Sequence, residues 1–308
     1  MMQKLVRFMT YSKAASYVAA SLCVVSWCLL TTERLVPLVG HLLLILMAGY
    51  LLVRTNRVFS LSDTKSTLPA TLFYLGCALA PDLLSSRGTA LHLVLLATAF
   101  HLLLRTHRSR HAMGRYFVAF ALIGLQCMLT PPLLLLMPWL VVCALPMESL
   151  HGRTLLASLW GLLFPFWIAC GVLFLAGHTA PIVAYLGSVI PAAYPVLPPL
   201  AATSQWFLLL WALLLIVPGS VTVLVSRTMK LQASAGFRLM LSALVVLLAA
   251  MGLGPASCSA LLPGVLLIAS LMGSALFASA ASRAKSIYLV VLTAIGLLLL
   301  IHTLCSTF

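Results

Sequence analysis

The chain has 308 residues, of which 63% are hydrophobic and only 7% charged, and its formal net charge is +14 at pH 7. A soluble domain is about 45–50% apolar, so this composition excludes an ordinary soluble fold and indicates a multi-pass membrane protein, in which the lipid bilayer replaces most of the core. The cations form short clusters between apolar runs rather than a stripe with interleaved aromatic residues, which argues against nucleic acid as a partner.

The amino-terminal region predicts a retained first span. Lys4, Arg7 and Lys13 precede the apolar run 14–31, as they would in a signal peptide, but "CLLTTERLVP" supplies no convincing small-x-small cleavage site. Eight cysteines are scattered along the chain, with no C-x-x-C and no Cys/His cluster at metal spacing. We interpret them as small packing residues, and we predict neither a metal site nor a cofactor.

Apolar runs recur along the whole sequence and predict an all-α membrane protein, a polytopic bundle of about eleven transmembrane helices. The uncharged stretch 116–147 is too long for one span and is predicted to form a hairpin at Pro131-Pro132, while "GLGPASC" is predicted to turn the chain within 239–281. Residues 1–308 form a single integral membrane domain in this interpretation. The predicted spans are 14–31, 37–53, 68–80, 89–104, 116–130, 131–147, 154–176, 205–226, 239–253, 259–281 and 287–303.

The basic residues set the predicted orientation, because short cytoplasmic loops collect Lys and Arg. A cytoplasmic N-terminus and an outside C-terminus put every Lys and Arg except Arg34 and Arg87 on the inner face. The densest cluster, "RTHRSRHAMGR" at 105–115, is interpreted as an orientation signal that attracts anionic lipid, with phosphate recognition as the alternative.

Each of the two arginines on the predicted outer face accompanies an acid. Glu33 and Arg34 are adjacent in "TTERLVP" after the first span, and Asp82 precedes Arg87 in "PDLLSSRG" after the third. An interfacial ion pair is one interpretation of such a pair, and the binding of an anionic lipid headgroup is another. These four residues are therefore the first candidates for a site at the outer face.

The segment 177–204 follows the seventh span and contains five prolines but no Lys, Arg, Asp or Glu. It is too broken for a spanning helix and too apolar to extend into water, so we expect it to lie at the headgroup level or to fold back into the bundle, as a plain loop or as a lid over a lipid chain. His178 in this segment and His92 in the fourth span are predicted to share the outer face. Both are candidate substrate-binding residues.

Two stretches of sequence carry a resemblance to a family. "SDTKSTLPATLFYLGCALAPDLL" and "PPLLLLMPWLVVCALPMESLHGRTLLASLWGLLFPFWIACGVLFLAG" together resemble a family of multi-pass integral membrane proteins of unknown function from Bacteroidota. The shared features are a Leu-Pro pair at the start of the third span, a proline before the sixth span, a Trp within it, and Pro165-Phe166 in the seventh. The resemblance implies a polytopic membrane fold and no particular activity.

The order of elements in the first half of the chain is also similar to the middle of the C-type glycosyltransferases. Those multi-pass enzymes take sugars from polyprenyl-phosphate carriers. The resemblance implies that Glu33 and Asp82 are the outer-loop acids, one of which acts as base on an acceptor hydroxyl, and that Arg34 and Arg87 lie near the lipid phosphate. The first outer loop of this chain is far shorter than in those enzymes, so a non-catalytic relative or an accessory subunit is equally implied.

Three functions follow from the sequence. The first is an envelope enzyme, or an enzyme-like protein, that handles a polyprenyl-phosphate-linked sugar at the outer face of the inner membrane. The second is a transporter or flippase for a lipid or small solute, with "SVIPAAYPVLPP" and Pro218-Gly219 as break points in moving helices. The third is a membrane scaffold or assembly subunit. Predicted spans almost free of charged residues argue against ion-coupled transport.

Overall fold

The structure is a computed structural model that describes residues 10, 12–30, 35–59, 66–80, 87–109, 112–177, 180–189, 203–225, 231–251, 255–278 and 283–307. Every regular element within these ranges is helical, which confirms the predicted all-α class. Two short 3-10 helices, Pro131–Leu136 and Leu145–Met147, accompany the α-helices. The α-helices are α1 (Lys13–Leu30), α2 (Leu35–Phe59), α3 (Leu68–Leu79), α4 (Arg87–Leu104), α5 (Met113–Leu129), α6 (Met137–Val142), α7 (Gly152–Leu175), α8 (Ala180–Val189), α9 (Thr203–Val225), α10 (Leu231–Met251), α11 (Pro255–Ala278) and α12 (Arg283–Thr307).

Six of these helices contain segments that are long and apolar enough to cross a membrane. A multi-pass protein in a lipid bilayer therefore accounts for the chain, as its composition predicts. Helices α3, α4, α5, α8 and α9 contain shorter apolar segments, of 10–17 residues, and the total of eleven crossings stays a prediction. The six segments are Lys13–Leu30, Pro37–Phe59, Gly152–Leu175, Ala233–Met251, Ala260–Phe277 and Lys285–Thr303.

The chain packs as two compact units. The first unit comprises Met1–Val94, Leu200–Phe237 and Leu262–Phe308, and the second comprises Leu95–Pro199 and Arg238–Leu261. Each unit is thus assembled from segments that are far apart in the sequence. Hydrophobic periodicity in the sequence predicts the helices, but it does not predict which helices belong to the same unit.

Helix α3 is the centre of the first unit. All of its 12 residues are buried, and α1, α2, α9 and α12 pack around it. A helix of this length spans about 18 Å, well short of the roughly 30 Å of a hydrocarbon core. Because other helices enclose α3, its short length does not leave polar helix ends exposed to lipid. Pro69 lies in the first turn of α3, and Ala80 ends it because a residue before proline is driven out of the α region.

The second unit is organised around α5 and α7, which pack side by side in the same direction. A Cβ atom at Gly161 would meet the carbonyl oxygen of Phe117, and one at Gly124 would meet the carbonyl oxygen of Leu162. The two glycines therefore allow the helix backbones to approach each other closely, as small residues do in membrane helix pairs.

The predicted sixth span is not a regular helix. Helix α5 ends at Leu129, as the predicted hairpin at Pro131-Pro132 requires, and the chain then forms two 3-10 turns and the six-residue α6. Four prolines within residues 131–146 explain the break, because proline cannot donate a backbone hydrogen bond. The segment still runs back along α5, since Ser149 beyond its end hydrogen-bonds Tyr116 near the start of α5.

The relative directions of neighbouring helices agree with the predicted alternation of spans. In the first unit α9 and α12 are antiparallel, because the ring of Phe207 contacts that of His302 while Tyr288 donates a hydrogen bond to the carbonyl of Leu214. In the second unit α5 and α7 are parallel, as the fifth and seventh spans should be. Which end of each unit faces the cytoplasm stays a prediction.

The expected interfacial segment after the seventh span is helical in part. Helix α8 packs on the Pro131–Leu136 turn and on α7. Its Tyr185 donates a hydrogen bond of 2.9 Å to the carbonyl of Cys127 and contacts the ring of Phe166. This part of 177–204 is therefore folded within the second unit. Residues 190–202 lie outside the described residues.

Candidate functional site

Most of the predicted outer-face residues lie outside the described part of the chain. Glu33, Arg34, Asp82 and His178 belong to this group. Arg87 is the first residue of α4, and its side chain is likewise outside the description. The helices that precede and follow these residues are described.

His92 is the one predicted site residue whose side chain the structure describes. It lies about 7.5 Å further along α4 than Arg87 and is only 1% exposed. The neighbouring Thr89 and Ala90 are buried as well. His92 thus faces the interior of its unit rather than open water, and a ligand would reach it only by entering between the helices.

Helices α1 and α3 are a parallel pair whose beginnings are joined by hydrogen bonds. The hydroxyl of Ser66, just before α3, donates to the carbonyl of Thr10 at 2.8 Å. The hydroxyl of Thr67 donates to the carbonyl of Ser12 at 3.2 Å. These bonds use side chains to satisfy backbone carbonyls just before α1, and they align the first turns of α1 and α3.

The carboxyl-terminal ends of α1 and α3 are joined in the same way. Ser26 donates to the carbonyl of Ala78 at 2.9 Å, and the indole N–H of Trp27 donates to the carbonyl of Cys77 at 3.3 Å. The last carbonyls of a helix have no partner within it, so α1 provides the donors that α3 lacks. The chain therefore leaves α1 towards Glu33 and leaves α3 towards Asp82 from the same end of one helix pair.

The basic turn at 105–109 is folded against the segment that precedes α7. Arg108 Nε lies 2.7 Å from Oε2 of Glu148, and the backbone N–H of Arg108 donates to the carbonyl of Met147 at 3.1 Å. A hydrogen bond from Arg108 and its positive charge hold the pKa of Glu148 below its usual value. Arg115 donates to the carbonyl of Arg105 at 2.6 Å, just beyond the end of α4. Much of this cluster is thus engaged within the protein.

A groove between α5 and α7 is a candidate binding feature that the sequence did not indicate. It begins at Arg153 and Gly114 and passes Phe117 to reach Trp160. A second groove continues along α7 from Trp160 to Cys170. Their volumes are about 720 and 600 Å³. The parallel pairing of α5 and α7 creates this feature, and no local sequence pattern predicts that pairing.

No group of three or more His, Cys, Asp or Glu side chains in the described ranges comes together in a way that could hold a metal ion. Comparisons with protein-family models, with curated proteins and with solved structures find no match. The two family resemblances of the sequence therefore stay expectations. The chemistry of this protein has to be inferred from its own residues.

Proposed function

We propose that this multi-pass membrane protein handles a polyprenyl-phosphate-linked sugar at the outer face of a bacterial inner membrane. The observation that supports the proposal is the parallel packing of α1 and α3, whose last turns are joined through Ser26 and Ala78. The two acid–arginine pairs of the sequence follow these two adjacent helix ends. Two carboxylates and two guanidinium groups are the components that recognition of a phosphate and activation of a hydroxyl require.

Each of these residues has a distinct role in the proposal. Arg34 and Arg87 bind the phosphate of the carrier, and their charge stabilises the negative charge that develops on the departing phosphate. Asp82 or Glu33 accepts the proton of the attacking hydroxyl group. If the acceptor platform is absent, the same residues bind the carrier without transferring its sugar.

A transporter is the weaker alternative because Pro218-Gly219, one of its two proposed break points, is tightly packed. A Cβ atom at Gly219 would lie 2.8 Å from the carbonyl carbon of Met272 in α11. Pro218-Gly219 therefore serves a close contact between α9 and α11, and such a contact explains the glycine without any moving helix. Among the residues that the structure describes, no specific contact favours a scaffold role.

Binding of a fluorescent polyprenyl phosphate to the purified full chain in lipid nanodiscs tests the proposal. We expect Arg87→Gln and Arg34→Gln each to weaken binding about tenfold, because each removes a charge-assisted hydrogen bond to phosphate. Asp82→Asn should retain binding and lose sugar transfer, since a carboxamide cannot act as a base. Arg57→Gln, an exposed change at the end of α2, is the matched control.

The binding and transfer results together distinguish an enzyme from a non-catalytic carrier-binding protein, and they can also overturn the proposal. Binding by the wild type without any sugar transfer, together with the losses in the arginine variants, would identify a non-catalytic carrier-binding protein. Equal binding by the wild type, Arg34→Gln, Arg87→Gln and Arg57→Gln would overturn the proposal.

A further inference from the structure

The groove between α5 and α7 combines an apolar wall with one cation at its end. We propose that it binds a single anionic phospholipid, with the phosphate at Arg153 and an acyl chain between Phe117 and Trp160. The lipid belongs to the leaflet that meets the basic end of the second unit. The inference does not rest on the proposed function, because the two sites share no residue.

The shape of the groove follows from the glycine contacts of the helix pair. Gly161 and Gly124 bring the two backbones together, so the side chains beside this contact line stand on either side of a cleft. Small residues form its floor near the basic end, where a Cβ atom at Gly114 would meet nothing within 4 Å. Trp160 is 62% exposed on one wall. The cleft is therefore open to the membrane along its length.

The depth of the groove matches one leaflet. From Arg153 to Trp160 the rise along α7 is about 10 Å, which lies within the roughly 15 Å of a single leaflet of a 30 Å hydrocarbon core. Beyond Trp160 the second groove has only apolar and cysteine residues in its walls. A polar headgroup can therefore be bound at one end alone, and the chain ends of the lipid extend past Trp160 towards Phe164.

The charge at this end selects an anion. Glu148, the carboxylate described here, pairs with Arg108 rather than with Arg153. Arg153 is exposed at the mouth of the groove. Guanidinium groups at the membrane surface attract anionic headgroups and form paired hydrogen bonds with phosphate oxygens. The apolar wall alone would accept any lipid, so the arginine provides the selectivity.

Native mass spectrometry of the purified full chain tests this site. The protein is exposed to equal amounts of phosphatidylglycerol and phosphatidylcholine with the same acyl chains, and the lipids that it retains are counted. We expect one phosphatidylglycerol to be retained in preference to phosphatidylcholine. Arg153→Gln should lower this preference about tenfold, the loss expected for one charge-assisted hydrogen bond, while Arg153→Lys should keep most of it.

A pair of glycine variants tests the apolar part. Gly114→Leu puts a side chain into the groove, whereas Gly171→Leu makes the same change on α7 outside the residues that line it; a Cβ atom at either position meets nothing within 4 Å. We expect Gly114→Leu to abolish retention and Gly171→Leu to leave it unchanged. Size-exclusion profiles and helical circular dichroism show whether both variants are folded.

Three outcomes would overturn the lipid site. The first is equal retention of the two lipids by the wild type, and the second is undiminished phosphatidylglycerol in either Arg153→Gln or a folded Gly114→Leu. The third is a dimer of the wild type that Gly114→Leu dissociates, because a second copy of this chain would then occupy the groove.

Discussion

Buried indole N–H groups join α3 to the helices around it. Trp211 is fully buried, and its Nε1 donates to the carbonyl of Leu72 at 3.2 Å. Trp27 makes a similar bond to Cys77 at the end of α3. An indole N–H buried among apolar side chains is costly unless it has an acceptor, so these bonds fix where each tryptophan can lie.

Replacing Trp211 by Phe should therefore destabilise the protein. The change removes the N–H donor and part of the ring that packs against Gly296. We expect a loss of about 2–4 kcal/mol in the free energy of unfolding, from the lost hydrogen bond together with the cavity. Thermal unfolding in detergent measures it. The control is Trp167→Phe, at a site that is 73% exposed, and this variant should unfold within about a degree of the wild type. Equal unfolding temperatures for the two variants would contradict the stabilising role of Trp211.

The glycine contacts of the second unit give another residue-level prediction. Gly161→Ala places a methyl group against the backbone of Phe117, so α5 and α7 must separate. We expect a loss of about 1–3 kcal/mol, typical of overpacking. Gly171→Ala in the same helix meets no neighbouring atom and should be neutral or slightly stabilising, because alanine favours helix. Thermal unfolding of the two variants, measured side by side, tests this prediction. A Gly161→Ala variant as stable as the wild type would show that α5 and α7 are further apart than the structure has them.

At the scale of elements, the segment 131–147 combines irregular backbone with a predicted membrane location. Such backbone is tolerated at membrane depth only where protein surrounds it. Leu133, Cys143, Ala144 and Met147 are buried within the second unit. The surrounding helices thus enclose part of this proline-rich run, while Trp139, Val142 and Leu145 are exposed. That the broken segment crosses the membrane stays a prediction.

Topology reporters test that crossing directly. A reporter fused after Thr130 and one fused after His151 should lie on opposite faces of the membrane, because the intervening chain runs back along the roughly 25 Å of α5. A fusion after Arg115, at the start of α5, should match the one after His151. If Thr130 and His151 reported the same face, the segment would be a surface loop and the later spans would change direction.

At the scale of the whole molecule, the alternation of spans depends on the distribution of Lys and Arg. In the second unit the Arg108–Glu148 pair and the Arg115–Arg105 contact lie at one end, as a cytoplasmic face requires. Fusions after Arg115 and after Phe308 should therefore report the cytoplasm and the outside, respectively. If both fusions reported the same face, the number of crossings between Arg115 and Phe308 would be even, and the predicted topology would be wrong.

Much of the helical organisation could be predicted from the sequence, because it depends on local properties. Long apolar runs specify helices in a bilayer, since only helices and closed barrels satisfy every backbone group there. Proline positions predicted the end of α5 and the short α3, because proline acts on its own turn of backbone. The cluster at 105–115 was recognised as basic, but its pairing with Glu148 was not predicted from a sequence separation of 40 residues.

What only the tertiary structure decided is which helices pack together. Apolar helices in lipid have no amphipathic pattern strong enough to mark their contact faces, because a lipid-facing leucine and a protein-facing leucine are equally apolar. The parallel pairs α1–α3 and α5–α7 depend instead on hydrogen bonds such as Ser26 to Ala78 and on glycine contacts such as Gly161 to Phe117. The sequence by itself determined a helical membrane protein with two acid–arginine loops; the packing of distant segments determined that these loops follow adjacent helix ends and that α5 and α7 enclose a groove.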